Sequence, residues 1–554
     1  MVLSLYAGKL VELQAVDSRA MAETAVDTRT RVVQLPASRG DITDTHGVVL
    51  ATSVEARNIT TDQTLVGDVR TTAAALSPVL GVPEPTLRKK LTGERRFVYL
   101  AKGVTPQVWA QVKALGLSGI YSERTSRRVY PAGELAANVV GFVGAEGTGL
   151  GGLEYGLQRE LAGTSGTLTY EVAGGGRAIP TGQQEGTEPV PGLDVSLTID
   201  RDIQFVAQRA IASRVAAADA DGGTVVVMEP STGRILAMAS APTFNPNKPG
   251  ESPAAARNNP ALGAAFEPGS TSKVMTLAAV IEEKAAGATT HITVPPTLTR
   301  AGKEFHDHDE HPTLKLTLTG VLAKSSNIGT ILASERIGPQ KLYDYLRKFG
   351  MGSATGLSFP GETRGALPPP AQWSGTSFPT IAFGQGLSVN AVQAASIFAT
   401  IANDGTRVTP SLVSSYTQPD GTVTPAPAGE STQVVSPETA RTMRAMLESV
   451  VSDQGTAPQA AIPGYRVAGK TGTAQVVDPA CGCYAEGQYV ASFIGMAPAD
   501  APRLVVAVNL TNPRKGHYGG VLAGPVFKRV MTFALQQLQV PPTGTTARRL
   551  PTTW

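Results

Sequence analysis

Phe266-Glu267-Pro268-Gly269-Ser270-Thr271-Ser272-Lys273-Val274 is the stretch on which the reading of this chain turns. Pro268 and Gly269 interrupt the backbone. Apolar residues then recur at Val274, Leu277, Ala278 and Ile281, and charge gathers at Glu282, Glu283 and Lys284. That spacing predicts a buried helix, with Ser270 at or just before its first turn. Positions i and i+3 share a helical face, so Lys273 is placed beside the Ser270 hydroxyl. A serine is a poor nucleophile until a base takes its proton. A lysine can be that base only when burial, a second cation or the positive end of a helix lowers its pKa. Taken alone, the stretch is read equally well as a serine near a helix start with a solvated lysine.

Two later clusters change the balance. Leu322-Ala323-Lys324-Ser325-Ser326-Asn327-Ile328-Gly329 sets small polar groups into apolar sequence, as a loop tip near a cleft would. Ser325 can relay a proton between Lys273 and a leaving amine, and Asn327 offers an amide to hold a substrate backbone or the lysine. By itself this cluster reads as a polar helix cap. Arg466-Val467-Ala468-Gly469-Lys470-Thr471-Gly472-Thr473-Ala474-Gln475 reads as a strand, with Gly469 and Gly472 expected to let a ligand approach the backbone. Lys470 can be the second cation. Lys470, Thr471 and Thr473 can bind a carboxylate, and the Ser270 and Thr473 amides are candidates for an oxyanion site. By itself this cluster is a glycine-containing edge strand. The three occur in fixed order, 55 and then 145 residues apart (270 to 325, 325 to 470).

S-x-x-K, S-x-N and K-T-G in that order resemble the active-site triplet of penicillin-binding proteins and serine β-lactamases. The resemblance extends further. Val225-Val226-Val227-Met228-Glu229-Pro230-Ser231-Thr232-Gly233-Arg234-Ile235-Leu236-Ala237-Met238 reads independently as a β-hairpin. Leu197-Thr198-Ile199-Asp200, Lys348-Phe349-Gly350, Phe383-Gly384-Gln385-Gly386-Leu387 and Ala402-Asn403-Asp404-Gly405 are similar to transpeptidase-domain features. Ser38-Arg39-Gly40-Asp41, Arg128-Val129-Tyr130-Pro131 and Gly151-Gly152-Leu153-Glu154 are similar to the N-terminal pedestal of the class B, monofunctional penicillin-binding proteins, most like the actinobacterial septal type. Arg39-Gly40-Asp41 spells an adhesion tripeptide, but its setting predicts a turn between strands.

The resemblance implies an α+β multidomain chain: a transpeptidase domain with a central antiparallel sheet flanked by helices, and an elongated β-rich pedestal. It implies that Ser270 attacks the D-Ala-D-Ala amide of a peptidoglycan stem peptide, that an amine from a neighbouring strand resolves the acyl-enzyme, and that β-lactams acylate the same serine. The implied catalytic residues are Ser270, Lys273, Ser325, Asn327 and Lys470, with Thr471, Gly472 and Thr473 binding substrate. No cofactor is implied. Implied partners are a SEDS-type glycosyltransferase, other division proteins and the membrane.

With 554 residues the chain is long enough for more than one domain. A net charge of only +3 offers no basic field for nucleic acid. The layout reads as an amphipathic helix and linker over 1–35, a pedestal over 36–190 with a helix near Pro106–Leu115, a Gly/Pro-rich connector over Gly174–Pro191, a transpeptidase domain over 191–540, and a disordered Pro/Thr-rich tail over 541–554. Val2–Val11 is apolar but too short to span a bilayer, which needs about 20 such residues. Because relatives carry one anchor helix here, Met1 is expected to fall inside or after it; the alternative is a peripheral or engineered soluble form. Phe305-His306-Asp307-His308-Asp309-Glu310-His311 has ligand-type side chains but poor tetrahedral spacing, and it lacks the cysteine of zinc-binding elongation-type relatives. A solvated polar loop is expected there, with no metal. Cys481 and Cys483 are expected to form a disulfide that stiffens a loop before a strand over Tyr489–Met496.

Rival functions fit less well. A class A β-lactamase needs an E-x-x-x-N glutamate, and neither Glu335 nor Glu362 has that setting. A β-lactam sensor needs several spans and an effector domain. A division scaffold without catalysis would not need all three clusters. An elongation-type relative remains the alternative within the family.

Overall fold

In the computed structural model of the chain, the described residues are Tyr6, 29–172, 179, 184–478 and 480–554. The helix expected before residue 29, the anchor beside it and much of the 174–191 connector lie outside them. Among the described residues no helix is long and apolar enough to cross a membrane.

The principal N-terminal elements are β1 (Thr30–Leu35), β2 (Ile42–Thr43), β3 (Val49–Thr61), α1 (Val69–Leu80), α2 (Glu84–Leu91), β4 (Val98–Val104), α3 (Pro106–Ala114), β5 (Ile120–Val129), β6 (Gly166–Glu171) and β7 (Gln184–Thr187). Two stretches expected as linker and connector contribute strands instead. β1 pairs antiparallel with β6, Val32 facing Thr169, and β7 pairs with β6 on its other side. Their alternating Val and Thr residues satisfy backbone groups through these ladders. The tip of the pedestal has its own small core, in which Leu76, Leu87, Leu91 and Val112 from the helices pack on Ile59 and Leu100 from the strands. Asp68 caps α1 and Thr105 caps α3, each accepting from first-turn amides.

The C-terminal part contains β8 (Asp194–Leu197), α4 (Arg201–Ala218), β9 (Gly222–Met228), β10 (Ile235–Ala241), α5 (Lys273–Glu282), β11 (His291–Val294), β12 (Leu314–Thr317), α6 (Leu318–Ala323), α7 (Asn327–Ser334), α8 (Ala391–Ala402), β13 (Val413–Thr417), α9 (Pro437–Val451), β14 (Ala468–Asp478), β15 (Cys483–Ala497), β16 (Leu504–Thr511) and α10 (Gly524–Gln537). The Val225 and Ile235 runs form the expected hairpin, Val225 facing Ala239. Its strands lie in a five-stranded antiparallel sheet of order β10-β9-β16-β15-β14. Helices α4 and α10 cover one face and α8 packs on the sheet as well. With both faces covered, β9 and β10 are buried almost throughout rather than alternating, with Thr224 and Ser240 their only polar side chains. β14 is the edge strand. Cys481 and Cys483 are joined by a disulfide in the β14–β15 turn, and β15 begins at Cys483, earlier than expected.

The two parts are stitched by β8, which pairs parallel with β2 of the pedestal and antiparallel with β13 of the C-terminal part. Beside this seam the three pedestal motifs converge. Glu154 is fully buried. It accepts from Arg39 Nε at 2.5 Å and Arg128 Nε at 2.7 Å, and from the Tyr130 hydroxyl at 3.3 Å. Gly40 has no room for a side chain, because a Cβ would lie 1.9 Å from Leu193 O. Arg39-Gly40-Asp41 is therefore an internal joint, with Arg39 only 7% exposed.

The tail is not disordered. Thr317 N donates to Thr552 O at 3.1 Å and Thr317 Oγ1 to Pro551 O at 2.6 Å. Trp554 stacks on His291 at 4.3 Å, with Lys315 Nζ 5.0 Å from its ring centroid. Composition misled here because four residues at the far end of a Pro/Thr-rich stretch find an aromatic and backbone dock on β11, β12 and the start of α6.

Glu154→Ala would leave two arginines without their shared counter-charge. It is expected to destabilise the protein by about 3–5 kcal/mol, measured by guanidinium denaturation. Trp554→Ala is expected to cost about 1 kcal/mol, read as a small fall in Tm.

Candidate active site

Ser270 sits in a 3₁₀ turn, Gly269–Ser272, that feeds directly into α5. In such a turn residues i and i+3 eclipse, which puts Ser270 and Lys273 on one side. The turn is held from several directions. Thr271 Oγ1 donates to Pro268 O at 2.7 Å, and Gly269 N to Gly384 O at 3.0 Å. Gly384, at φ 95°, must be glycine, since a Cβ would lie 2.1 Å from Gly269 O. The Phe383-Gly384-Gln385-Gly386 motif is thus the backstop of the nucleophile turn.

α6 ends at Ala323, and Ser325 takes a left-handed conformation, φ 59°, with its N–H on Leu322 O. Ser326 then N-caps α7, accepting from Gly329 N at 2.8 Å. Both readings of this cluster therefore apply to different residues. Ser326 is the cap, and Ser325 is the tip that presents its hydroxyl to the cleft. Asn327, first in α7, accepts from Lys273 Nζ at 2.8 Å and donates to His306 O at 3.1 Å.

Lys470 comes from edge strand β14. Its Nζ donates to Ser325 Oγ at 2.8 Å, while Lys273 Nζ lies 3.4 Å from the same oxygen and donates also to Ser325 O. Both lysines are fully buried. Burial brings Lys273 down to about 7, against a smaller opposing pull from Asp307. Lys470 is pushed well below the ordinary lysine range, first by burial and then by the charge of Lys273. A neutral Lys273 amine can donate to Ser325 O and Asn327 Oδ1 and keep its lone pair for a hydroxyl proton.

The glycines of the third cluster also serve the packing of the strand. A Cβ on Gly469 would lie 2.5 Å from the Phe493 ring, and one on Gly472 would lie 2.4 Å from Ser492 Oγ and 3.0 Å from Thr271. They bring β14 close to β15 and to the Ser270 turn. Thr471 and Thr473 do line the cleft, with Ser270, Ser325 and Asn327 around a space of about 200 Å³. Thr471 Oγ1 pairs with Thr456 Oγ1 at 2.9 Å, and Gly519 N donates to Thr473 Oγ1 at 3.4 Å.

Several residues at or beside the cleft were given no role in it from sequence. Asp307 accepts from Ile328 N at 2.9 Å and pairs with His311 at 3.1 Å. The 305–311 segment is the expected solvated polar loop, with His306, His308, Asp309 and Glu310 exposed, and it is also tied to the Asn327 helix through its backbone and the Asp307 carboxylate. Among the described residues no group of three or more His, Cys, Asp or Glu side chains is placed to hold a metal. His308 Nε2 and the Tyr518 hydroxyl meet at 3.2 Å across the mouth. They are 210 residues apart, and no spacing rule joins them. Glu335 pairs with Arg300 and Glu362 accepts from Thr355 N, so neither serves the cleft.

Comparison with known proteins agrees in order and extent. Residues 34–197 match the penicillin-binding protein dimerisation domain, and residues 223–532 match the penicillin binding protein transpeptidase domain. Penicillin-binding protein PbpB of Mycolicibacterium smegmatis is 40% identical over 543 residues, covering 91% of this chain and 84% of that protein. The peptidoglycan D,D-transpeptidase FtsI of Escherichia coli is 33% identical over 555 residues, covering 98% and 91%. Among solved structures, penicillin-binding protein 3 of Mycobacterium tuberculosis complexed with aztreonam superposes with a TM-score of 0.74 at 35% identity, covering 94% of this chain and 100% of that one. With a dimerisation-type pedestal preceding a transpeptidase domain, and relatives aligned along nearly all its length, the chain belongs to the class B penicillin-binding proteins.

Proposed function

We propose that this protein is a serine-type peptidoglycan D,D-transpeptidase of septal wall synthesis, with Ser270 as its nucleophile. The observation that carries the reading is the pair of buried lysine amines sharing Ser325 Oγ beside the Ser270 turn. Neutral Lys273 takes the Ser270 proton as Oγ attacks the carbonyl of the penultimate D-alanine. The C–N bond to the terminal D-alanine breaks, and its nitrogen receives a proton through Ser325. Ser270 and Thr473 amides hold the oxyanion, and Lys470, Thr471 and Thr473 hold the terminal carboxylate. An amine on a neighbouring stem peptide then attacks the ester, forming the cross-link and freeing Ser270. The free outer edge of β14 supports this reading, since an extended peptide can add there as a further strand.

β-Lactams are expected to acylate Ser270 in place of the donor, in line with the relative solved with aztreonam. The septal role rests on the pedestal motifs and on the mycobacterial relatives. With it come a membrane anchor preceding the pedestal, and a SEDS-type glycosyltransferase and other division proteins as partners at the anchor and pedestal.

Incubation with benzylpenicillin is expected to give a stable one-to-one adduct by intact mass in the wild type and none in Ser270→Ala. Rapid drug hydrolysis without an adduct would point to a β-lactamase, and no reaction at all would point to a scaffold. The acylation rate is expected to rise with pH through about 7 as Lys273 loses its proton. It should level off above that point and be roughly tenfold lower one unit below it. A flat profile from pH 6 to 8 would remove Lys273 as the base.

A further inference from the structure

A second, larger cavity of about 670 Å³ continues the cleft along the edge of β14. Ala474 and Gln385 line the cleft, and their chain neighbours Gln475 and Gly386 line this cavity. Its floor is apolar apart from Thr224 and Asn509, and its wall includes Glu267, three residues before the nucleophile.

Ser388, Gln475 and Thr511 add uncharged polar groups to the lining, and two acceptors there are short of donors. Asn509 is 4% exposed; its Nδ2 donates to Thr224 Oγ1, and its Oδ1 has no partner among the described residues. Glu267 accepts from Gly386 N at 2.8 Å and from the Tyr484 hydroxyl at 3.0 Å. Among the described residues no lysine, arginine or histidine forms an ion pair with it within 4.0 Å. Burial raises its pKa, as it does for a carboxylate lacking a counter-ion. The other charged lining residue, Asp221, is also acidic and is already bound by Arg514 and Asn512. Among the described residues no cation lines the cavity.

A donor peptide with its terminal carboxylate at Lys470–Thr473 and its reacting carbonyl at Ser270 runs its preceding residues past Ala474 toward Gln475 and Val477. Donor and acceptor strands come from one pool, and the acceptor reacts through an amine. An uncross-linked donor therefore carries that amine too. We infer that this cavity is the subsite for the amine-bearing side chain of the donor stem peptide, its aliphatic stem against the apolar lining and its ammonium beside Glu267. The inference rests on the transpeptidase reading above and deepens it. A free carboxylate beside the amine would find no positive partner here, so the preferred donor carries its amine without one.

The test uses two synthetic stem-peptide thioesters ending in D-alanyl-thioglycolate, one with its side-chain amine free and one with it acetylated. Acylation is followed by thiol release. In the wild type the free amine is expected to raise kcat/KM about tenfold over the acetylated peptide. Glu267→Gln keeps an oxygen for Gly386 N but loses the charge, and should bring that ratio toward one. Ala264→Phe, which narrows the cavity from its rim, should do the same. A ratio near one in the wild type, or a ratio undiminished in both variants, overturns the subsite. Benzylpenicillin adduct formation by the wild type separates the two levels. An adduct with no amine discrimination sinks only the subsite, and no adduct sinks the transpeptidase reading with it.

Discussion

Two buried amines that share one hydroxyl cannot both hold a proton cheaply, and the rest of the domain is arranged around that constraint. Lys273 and Lys470 reach Ser325 Oγ from different elements, a central helix and an edge strand. Burial removes the water that would stabilise either charge, and each charge disfavours the other. The near-neutral amine that results requires three elements to meet within hydrogen-bond distance. The glycines at 384, 469 and 472 are the spacing devices that allow it.

The pedestal is joined to this centre by covalent continuity and by a shared sheet. β8 opens the C-terminal part yet pairs with β2 of the pedestal. Arg39 and Arg128, from separate motifs, share the one carboxylate of Glu154 next to it. A buried ion cluster of this kind contributes little net attraction but tolerates no missing member. It therefore fixes the packing of three pedestal motifs against one another more than it adds stability, beside the β8–β2 pairing that joins the two parts.

Much of this was legible in the sequence because it is local. The Ser270–Lys273 spacing, the Val225 hairpin and the Ser325 loop follow from short-range periodicity and turn chemistry, and the triplet order identified the family. What stayed hidden depends on contacts between distant residues. Asp307 belongs to the expected solvated loop, but nothing nearby in sequence says that it accepts from Ile328 N in the first turn of α7 and bears on Lys273. The glycines of the third cluster were read as making room for ligand, and nothing local says that they also make room for Phe493 and Ser492. The tail was misjudged on composition, which counts Pro and Thr but is blind to a docking site more than 200 residues upstream.

That docking site has a consequence for how the protein matures. Residues 551–554 brace Thr317 and Gly320 at the start of α6, the helix that delivers Ser325 to the cleft. During synthesis the nucleophile turn, the serine loop and β14 all emerge well before this brace exists. The loop that carries Ser325 gains this support only once residues 551–554 have been made, so until then the three clusters must hold together without it.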